Sequence, residues 1–332
     1  MSLQASSNHM DWLSVMRGLN IVLVVMYHVQ LIDFATGNNH IICEQIPSIF
    51  TPVRMPFFIF SSGGLLFLSR INKNWNTKDL YWDKFQRIII PFLFFVTFYF
   101  LFKVMLNGFV KTPVEVSFSY YFESFIYYPG HPSAPLWFLA TLSTMMFLYP
   151  LFKVACKSDV LMVTFLILSI VIFYLDTSNV SEIFNLSNLN HYLIFFFFGI
   201  FFFKYKLHNY LSSNISLLLT IVIYVLLFYI EKGLFTSLSG IVMMCAIGKF
   251  VARYFPKLFS SFRDNIFQIY LMSFIFQAFV ELVLWKKLFY NENLFWLFYV
   301  MNITAGVFCP ILVTKLVNRC PQKIVRLCFG LK

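Results

Sequence analysis

Acidic side chains are scarce in this chain: 14 Asp and Glu stand among 332 residues, against 45 Phe. Charged residues of both signs make up only 12%. That is too few to cover a water-soluble domain of this size, so a soluble globular protein is excluded. Cysteine is sparse too. The six cysteines lack metal-ligand spacing and the six histidines are scattered singly, so no metal site is expected. No internal repeat is visible, which weighs against transporter folds built from inverted halves. The start of the chain lacks the basic segment of a cleavable signal peptide. Residues 1–11 read instead as a polar tail, either native or an added remnant.

What the chain does have is apolar: 60% hydrophobic and 21% aromatic residues, with a mean hydropathy of +0.76. The expected fold is an all-α polytopic bundle. Apolar runs predict ten transmembrane helices, over 12–32, 53–68, 88–106, 134–152, 160–175, 192–203, 215–230, 234–250, 266–285 and 294–317. The second and sixth are short for a full span. With both termini cytoplasmic, one side receives all of the 25 basic residues except Arg54, Lys103, Lys111, Lys232, Lys286 and Lys287. The net charge of +11 is then mostly a topology signal and not a nucleic-acid footprint. Residues 12–317 form the membrane domain and 318–332 a basic cytoplasmic tail. Only Cys43 falls in an outer loop, so it has no disulfide partner among Cys156, Cys320 and Cys328, and the cysteines read as small apolar filler.

The first span carries Arg17 and His28, eleven positions apart. Eleven steps of about 100° come to roughly 20° beyond three turns, so both side chains share a face, with Asn20 on the same stripe. The two residues are roughly 16 Å apart along the axis, about half the hydrocarbon thickness. Polar groups so placed are expected to face a protein interior or a wet cavity. A neutral imidazole suits proton removal from an attacking hydroxyl. Arg54 opens the second span, either as an interfacial anchor or as a holder of a carboxylate, phosphate or oxyanion. Ser62 lies in a Ser-Ser-Gly-Gly run that permits close helix approach. Between spans two and three, Arg70, Lys73, Lys84 and Arg87 form an inner basic cluster, which fits either charge bias or a phosphate clamp. Trp137 re-enters the membrane at the outer interface.

Taken together these segments resemble the acyltransferase-3 family of bacterial integral membrane proteins, which acylate sugars of envelope polysaccharides. Arg17-x10-His28 is similar to that family's first-helix motif. The run Met55-Pro-Phe-Phe-Ile-Phe-Ser-Ser62-Gly63 is similar to its MPLFFFISG stretch. Lys84-x-x-Arg87-Ile-Ile-Ile-Pro91 resembles the basic approach to its third helix, Leu136-Trp137-Phe138-Leu139 its LWFL segment, and Phe267-Gln-Ile-Tyr270-Leu-Met its FGIYLIH. The chain departs from the pattern at Ser273, where many members have His, and at Arg54, where several have His. It also ends soon after the tenth span, without the eleventh helix and esterase-like domain of longer members.

The resemblance implies a membrane O-acyltransferase of a bacterial inner membrane, using acyl-CoA, in the first instance acetyl-CoA, and no metal. Its phosphates would dock at Arg70, Lys73, Lys84 and Arg87 with Arg17 nearby, and the pantetheine arm would run towards His28. His28 would act as general base, with an acyl-histidine route left open. Arg54, Asn20, Ser62 and Trp137 would bind the acceptor, a lipid-linked saccharide or envelope glycan. The competing expectation is a ten-helix secondary transporter with His28, Arg17 and Arg54 in its substrate or proton path. No carboxylate partner for His28 is evident: Asp33 is poorly placed, and Glu115, Glu123, Asp176 and Glu182 are outer-side candidates.

Overall fold

The computed structural model describes residues 11–331 apart from 33–38, 109–112, 127–130, 177–179, 181, 232, 260–262 and 289–290. Nearly all of the polar tail, along with Asp33, Lys111, Lys232 and Lys332, lies outside the described residues. Among those described there is no β-strand, and each of the ten expected apolar runs coincides with a helix. This is the outcome hydrocarbon demands, because a helix satisfies its backbone groups internally. The protein is an all-α polytopic membrane helix bundle.

In chain order the helices used below are α1 (Asp11–Tyr27), α2 (Ile41–Ser48), α3 (Thr51–Leu66), α4 (Thr77–Lys84) and α5 (Ile90–Met105). Then come α6 (Trp137–Phe147), α7 (Tyr149–Ala155), α8 (Asp159–Phe173), α9 (Leu189–Lys204), α10 (Asn214–Ile230), α11 (Leu234–Tyr254), α12 (Ile266–Phe279), α13 (Phe295–Asn318) and α14 (Lys323–Cys328). By length and composition, six continuous helical stretches among the described residues can cross a bilayer: Thr51–Ile71, Thr77–Met105, Leu186–Lys204, Leu234–Tyr254, Arg263–Leu288 and Phe295–Asn318. A seventh, α6 with α7, bends by 56° where Leu148 closes α6 and Pro150 opens α7, since proline cannot donate into the preceding turn. The two runs expected to be short, the second and sixth, are long enough. The short ones are instead α1, α8 and α10, of 17, 15 and 17 residues.

The loops are more structured than the sequence suggests. The stretch 69–87 is helical for much of its length, with π-helical turns at Phe67–Ile71 and Phe85–Ile89 on either side of α4. The loop before α3 holds α2, whose first turn is capped by His40. The C-terminal tail is no loose strand: α14 packs on α5, Phe329 meets Phe94 and Phe95, and Gln268 donates to the Phe329 carbonyl at 3.0 Å.

Two close approaches set the core. α3 and α9 form the most extensive helix pair, and glycine explains it. A Cβ on Gly63 would lie 2.0 Å from the Phe196 carbonyl oxygen, and one on Gly199 would lie 2.1 Å from that of Phe60. The backbones touch, as small residues allow in membranes. Around this pair Phe57, Phe60, Phe196, Phe197 and Phe202 are fully buried. The second centre is α1, packed by α3, α11, α12 and α13.

Two measurements check this packing. Gly63→Val must push backbones apart and should destabilise the protein by about 3 kcal/mol, read as a lowered melting temperature in detergent. Cys43 is 3% exposed in a small cluster with Trp285, Phe295 and Tyr299. Burial pushes its thiol up to about 11, so a membrane-impermeant maleimide at pH 7.5 should leave Cys43 unmodified until the protein is unfolded.

Candidate active site

α1 ends at Tyr27, not at residue 32, and the cause is tertiary. His28 N–H returns to the Val25 carbonyl at 3.1 Å, which closes a last tight turn. The same carbonyl accepts from Gln277 Nε2 at 2.8 Å. Gln277 Nε2 also donates to Asn302 Oδ1 at 2.8 Å, and Asn302 Nδ2 donates to Glu281 Oε1 at 3.0 Å. Glu281 Oε1 in turn accepts the Gln30 N–H at 2.7 Å. The backbone on both sides of His28 is therefore held by one buried polar chain from α12, the π-helical segment Val280–Leu288 and α13. Trp285 adds a bond from its indole to the Ile32 carbonyl at 3.0 Å.

The imidazole of His28 sits between edge-on rings, Tyr27 at 5.4 Å and Phe274 at 6.0 Å. Among the described residues no carboxylate pairs with it. Glu281 engages the backbone two residues on, and Glu115, Glu123, Asp176 and Glu182 are all exposed.

Arg54 is brought to this end of α1. Its carbonyl accepts from the fully buried Asn20 amide at 2.7 Å, so its backbone sits at the level of Asn20, deeper than the sequence suggests. Seven residues of helix, about 10 Å, separate Asn20 from Tyr27, and the Arg54 side chain spans that gap. Its guanidinium carbon stands 3.0 Å from the centre of the Tyr27 ring, a cation–π stack. The side chain is 8% exposed, and its Nε is buried with no hydrogen-bond partner. A cavity of about 280 Å³ opens beside it, lined also by Trp137, His191, Tyr192 and Ser237. The structure therefore unites Arg54 and Trp137, and adds His191 and Tyr192.

The other expected residues fall in three places. Arg17 lies half-buried one turn before Asn20, its Nε buried without a partner, and it makes no ion pair among the described residues. Ser62 donates to the Phe58 carbonyl of its own helix at 2.8 Å. Neither Arg17 nor His28 lines the cavity at Arg54 or the larger one described below, so the single shaft expected to join them is not outlined by either.

At the basic cluster the sequence reading missed Asp83. This buried carboxylate receives Arg70 at 3.0 Å through one oxygen and Arg87 at 3.1 Å through the other. The π-helical turns carry both arginines. Arg70 also stacks on Trp75, 3.4 Å from its ring centre. Two of the four expected phosphate ligands are thus already partnered. Lys73 is exposed, and Lys84 lines an apolar groove of about 660 Å³ with Lys78, Trp82, Phe85, Ser143 and Phe147.

The remaining motif segments converge. Tyr270 donates to the Pro135 carbonyl at 2.7 Å and its ring meets Phe138 at 5.3 Å, which ties α12 to the segment that opens α6. Trp137 packs at 5.0 Å on Tyr192. Ser273, at the position of the family's second histidine, is buried on α12 one residue from Phe274.

A polar line of cation, amide and imidazole runs along the central helix of a membrane bundle, with a basic cluster and a separate cavity at Arg54. A family model described as an acyltransferase domain matches residues 10–315, nearly the whole chain. The protein is a multi-pass membrane acyltransferase by class, and it belongs to the acyltransferase-3 family. Searches of curated proteins and of solved structures give no match.

Asp83→Ala tests the arginine cluster. Removing the carboxylate leaves Arg70 uncompensated, while the Arg87 contact is half-exposed and contributes little. The loss should be about 3 kcal/mol, read by thermal unfolding, with Asp83→Asn intermediate.

Proposed function

We propose that the protein is an O-acyltransferase of a bacterial inner membrane that moves an acyl group, acetyl in the first instance, from cytoplasmic acyl-CoA to a saccharide hydroxyl. The observation that carries this reading is that Arg17 on α1 and Arg54 on α3, near the buried Asn20, are shielded from solvent and form no ion pair among the described residues. Cations left without a carboxylate inside a bundle call for anionic or polar ligands. Arg17 would meet the donor and Arg54 the acceptor or the developing oxyanion.

In the proposed reaction the acceptor oxygen attacks the thioester carbonyl carbon. A C–O bond forms and the C–S bond breaks. His28 takes the hydroxyl proton and returns it to the departing thiolate, which leaves as free CoA. The aromatic walls around the imidazole support this role, since they exclude competing water. The chain from Gln277 to Glu281 supports it by restricting the backbone on either side of the base. Asn20 keeps Arg54 in register, and Ser62, on the next helix, lies beside the same path. Lys84 and Arg87, with Arg70 and Lys73 behind them, would meet the phosphates of CoA. Asp83 reduces the net charge there and orients the two arginines. The acceptor, a lipid-linked sugar or envelope glycan, would approach from the outer side past Trp137.

Purified protein supplied with acetyl-CoA and a glycan acceptor should release CoA in proportion to acetylated product. His28→Ala should lower that rate by about 10²–10⁴-fold without changing the melting temperature, and full activity in this variant would remove the base. Lys84→Ala combined with Arg87→Ala should raise KM for acetyl-CoA more than KM for the acceptor. An unchanged donor KM would end the phosphate-clamp assignment.

A further inference from the structure

The cavity beside Arg54 bears on the chemistry of the acceptor, and the inference rests on the acyl-transfer reading above. Its wall is distinctive in four respects. Arg54 is more than nine-tenths buried, its Nε has no partner, and no ion pair reaches it among the described residues. No Asp or Glu lines the cavity; Glu231, whose carboxylate packs against Gly233, is not among the lining residues. The first turn of α3, at Thr51 and Pro52, forms part of the wall, and the N-terminal end of a helix carries partial positive charge. Trp137 and Tyr192 stand 5.0 Å apart with their planes at 37°, an angled aromatic corner.

A desolvated guanidinium in a membrane protein is costly unless an anion meets it. The stack on Tyr27 fixes the plane of the Arg54 fork, so its remaining donors suit a planar carboxylate or a phosphate. Aromatic faces carry negative charge density and attract the C–H face of a sugar ring. Ser237 adds a hydroxyl and His191 a further polar group to the same wall. We propose that this cavity is the acceptor subsite and that it selects a saccharide bearing an anionic group. Arg54 holds the carboxylate or phosphate while Trp137 and Tyr192 take the face of the ring.

The test uses the full chain in nanodiscs, saturating acetyl-CoA, and three acceptors: a glucuronate-ended disaccharide, its neutral glucose counterpart and a sugar phosphate. CoA release and product mass are followed. The wild type should show a KM for at least one acidic acceptor about tenfold or more below that for the neutral one, and the two acidic probes separate carboxylate from phosphate selection. Arg54→Met should abolish this preference by raising the acidic KM far more than the neutral KM, and Arg54→Lys should restore part of it. Ser237→Asp, which puts a carboxylate into the wall without touching Arg54, should also weaken acidic acceptors selectively; this keeps the test intact if Arg54→Met does not fold. Equal KM values for charged and neutral acceptors in the wild type would overturn the anionic subsite alone. A uniform fall in kcat across all three acceptors in Arg54→Met, with the preference intact, would do the same. No CoA release with any acceptor would instead count against the acyl-transfer reading itself.

Discussion

A helix that stops inside a bilayer leaves carbonyl groups with no water to accept from, and the Val25 carbonyl is where this chain meets that constraint. It is satisfied twice, by the His28 N–H and by the Gln277 amide. Gln277 draws in Asn302, Asn302 draws in Glu281, and Glu281 closes the circuit on Gln30. Three stretches of the chain, 25–30, 277–281 and 302, are thereby locked around one turn. Remove that circuit and α1 would be free to continue as helix or to unwind, and the imidazole would lose its fixed direction. Buried polar chains of this kind are stabilising to the extent that their members are partnered; each link here has its donor or acceptor, while Gln277 Oε1 is buried without a partner.

Four arginines of the candidate site divide by whether a carboxylate meets them. Arg70 and Arg87 share Asp83, and Arg70 also rests on Trp75. These two are held by the protein. Arg17 and Arg54 have no carboxylate among the described residues, although both have a buried Nε. Arg54 rests on Tyr27, which orients it without neutralising it.

Close packing of α3 on α9 serves the same end. The contact between Gly63 and Phe196, and between Gly199 and Phe60, holds the two helices at backbone distance. That fixes the height of α3, hence the height of Arg54 relative to Asn20. It also brings the start of α9, with His191 and Tyr192, against Trp137. The cavity at Arg54 is a by-product of glycine-mediated approach lower in the bundle.

How much of this was legible in the chain follows from what each signal measures. Hydrophobic runs report burial one segment at a time, so a helix over each of the ten apolar runs was visible before the structure, and so was the membrane class, although only six or seven stretches among the described residues are long enough to span. The shared face of Arg17, Asn20 and His28 was visible as well, because helical periodicity is local. The motif segments from Arg17 to Tyr270 also pointed to the family. Partners are not local. The i,i+4 spacing of Asp83 and Arg87 was legible, but that Arg70 joins them depends on a π-helical turn and a reversal of the chain that periodicity does not reveal. That Gln277, linked to Asn302 and Glu281, caps α1, and that His191 joins Arg54, depends on which helices lie side by side. Composition and period determined that this chain is a helical membrane bundle with a polar stripe. Only the tertiary structure decided where that stripe ends and which cations a carboxylate already meets, because hydrogen bonds and ion pairs act over a few ångströms between residues that folding brings together, some of them hundreds of positions apart.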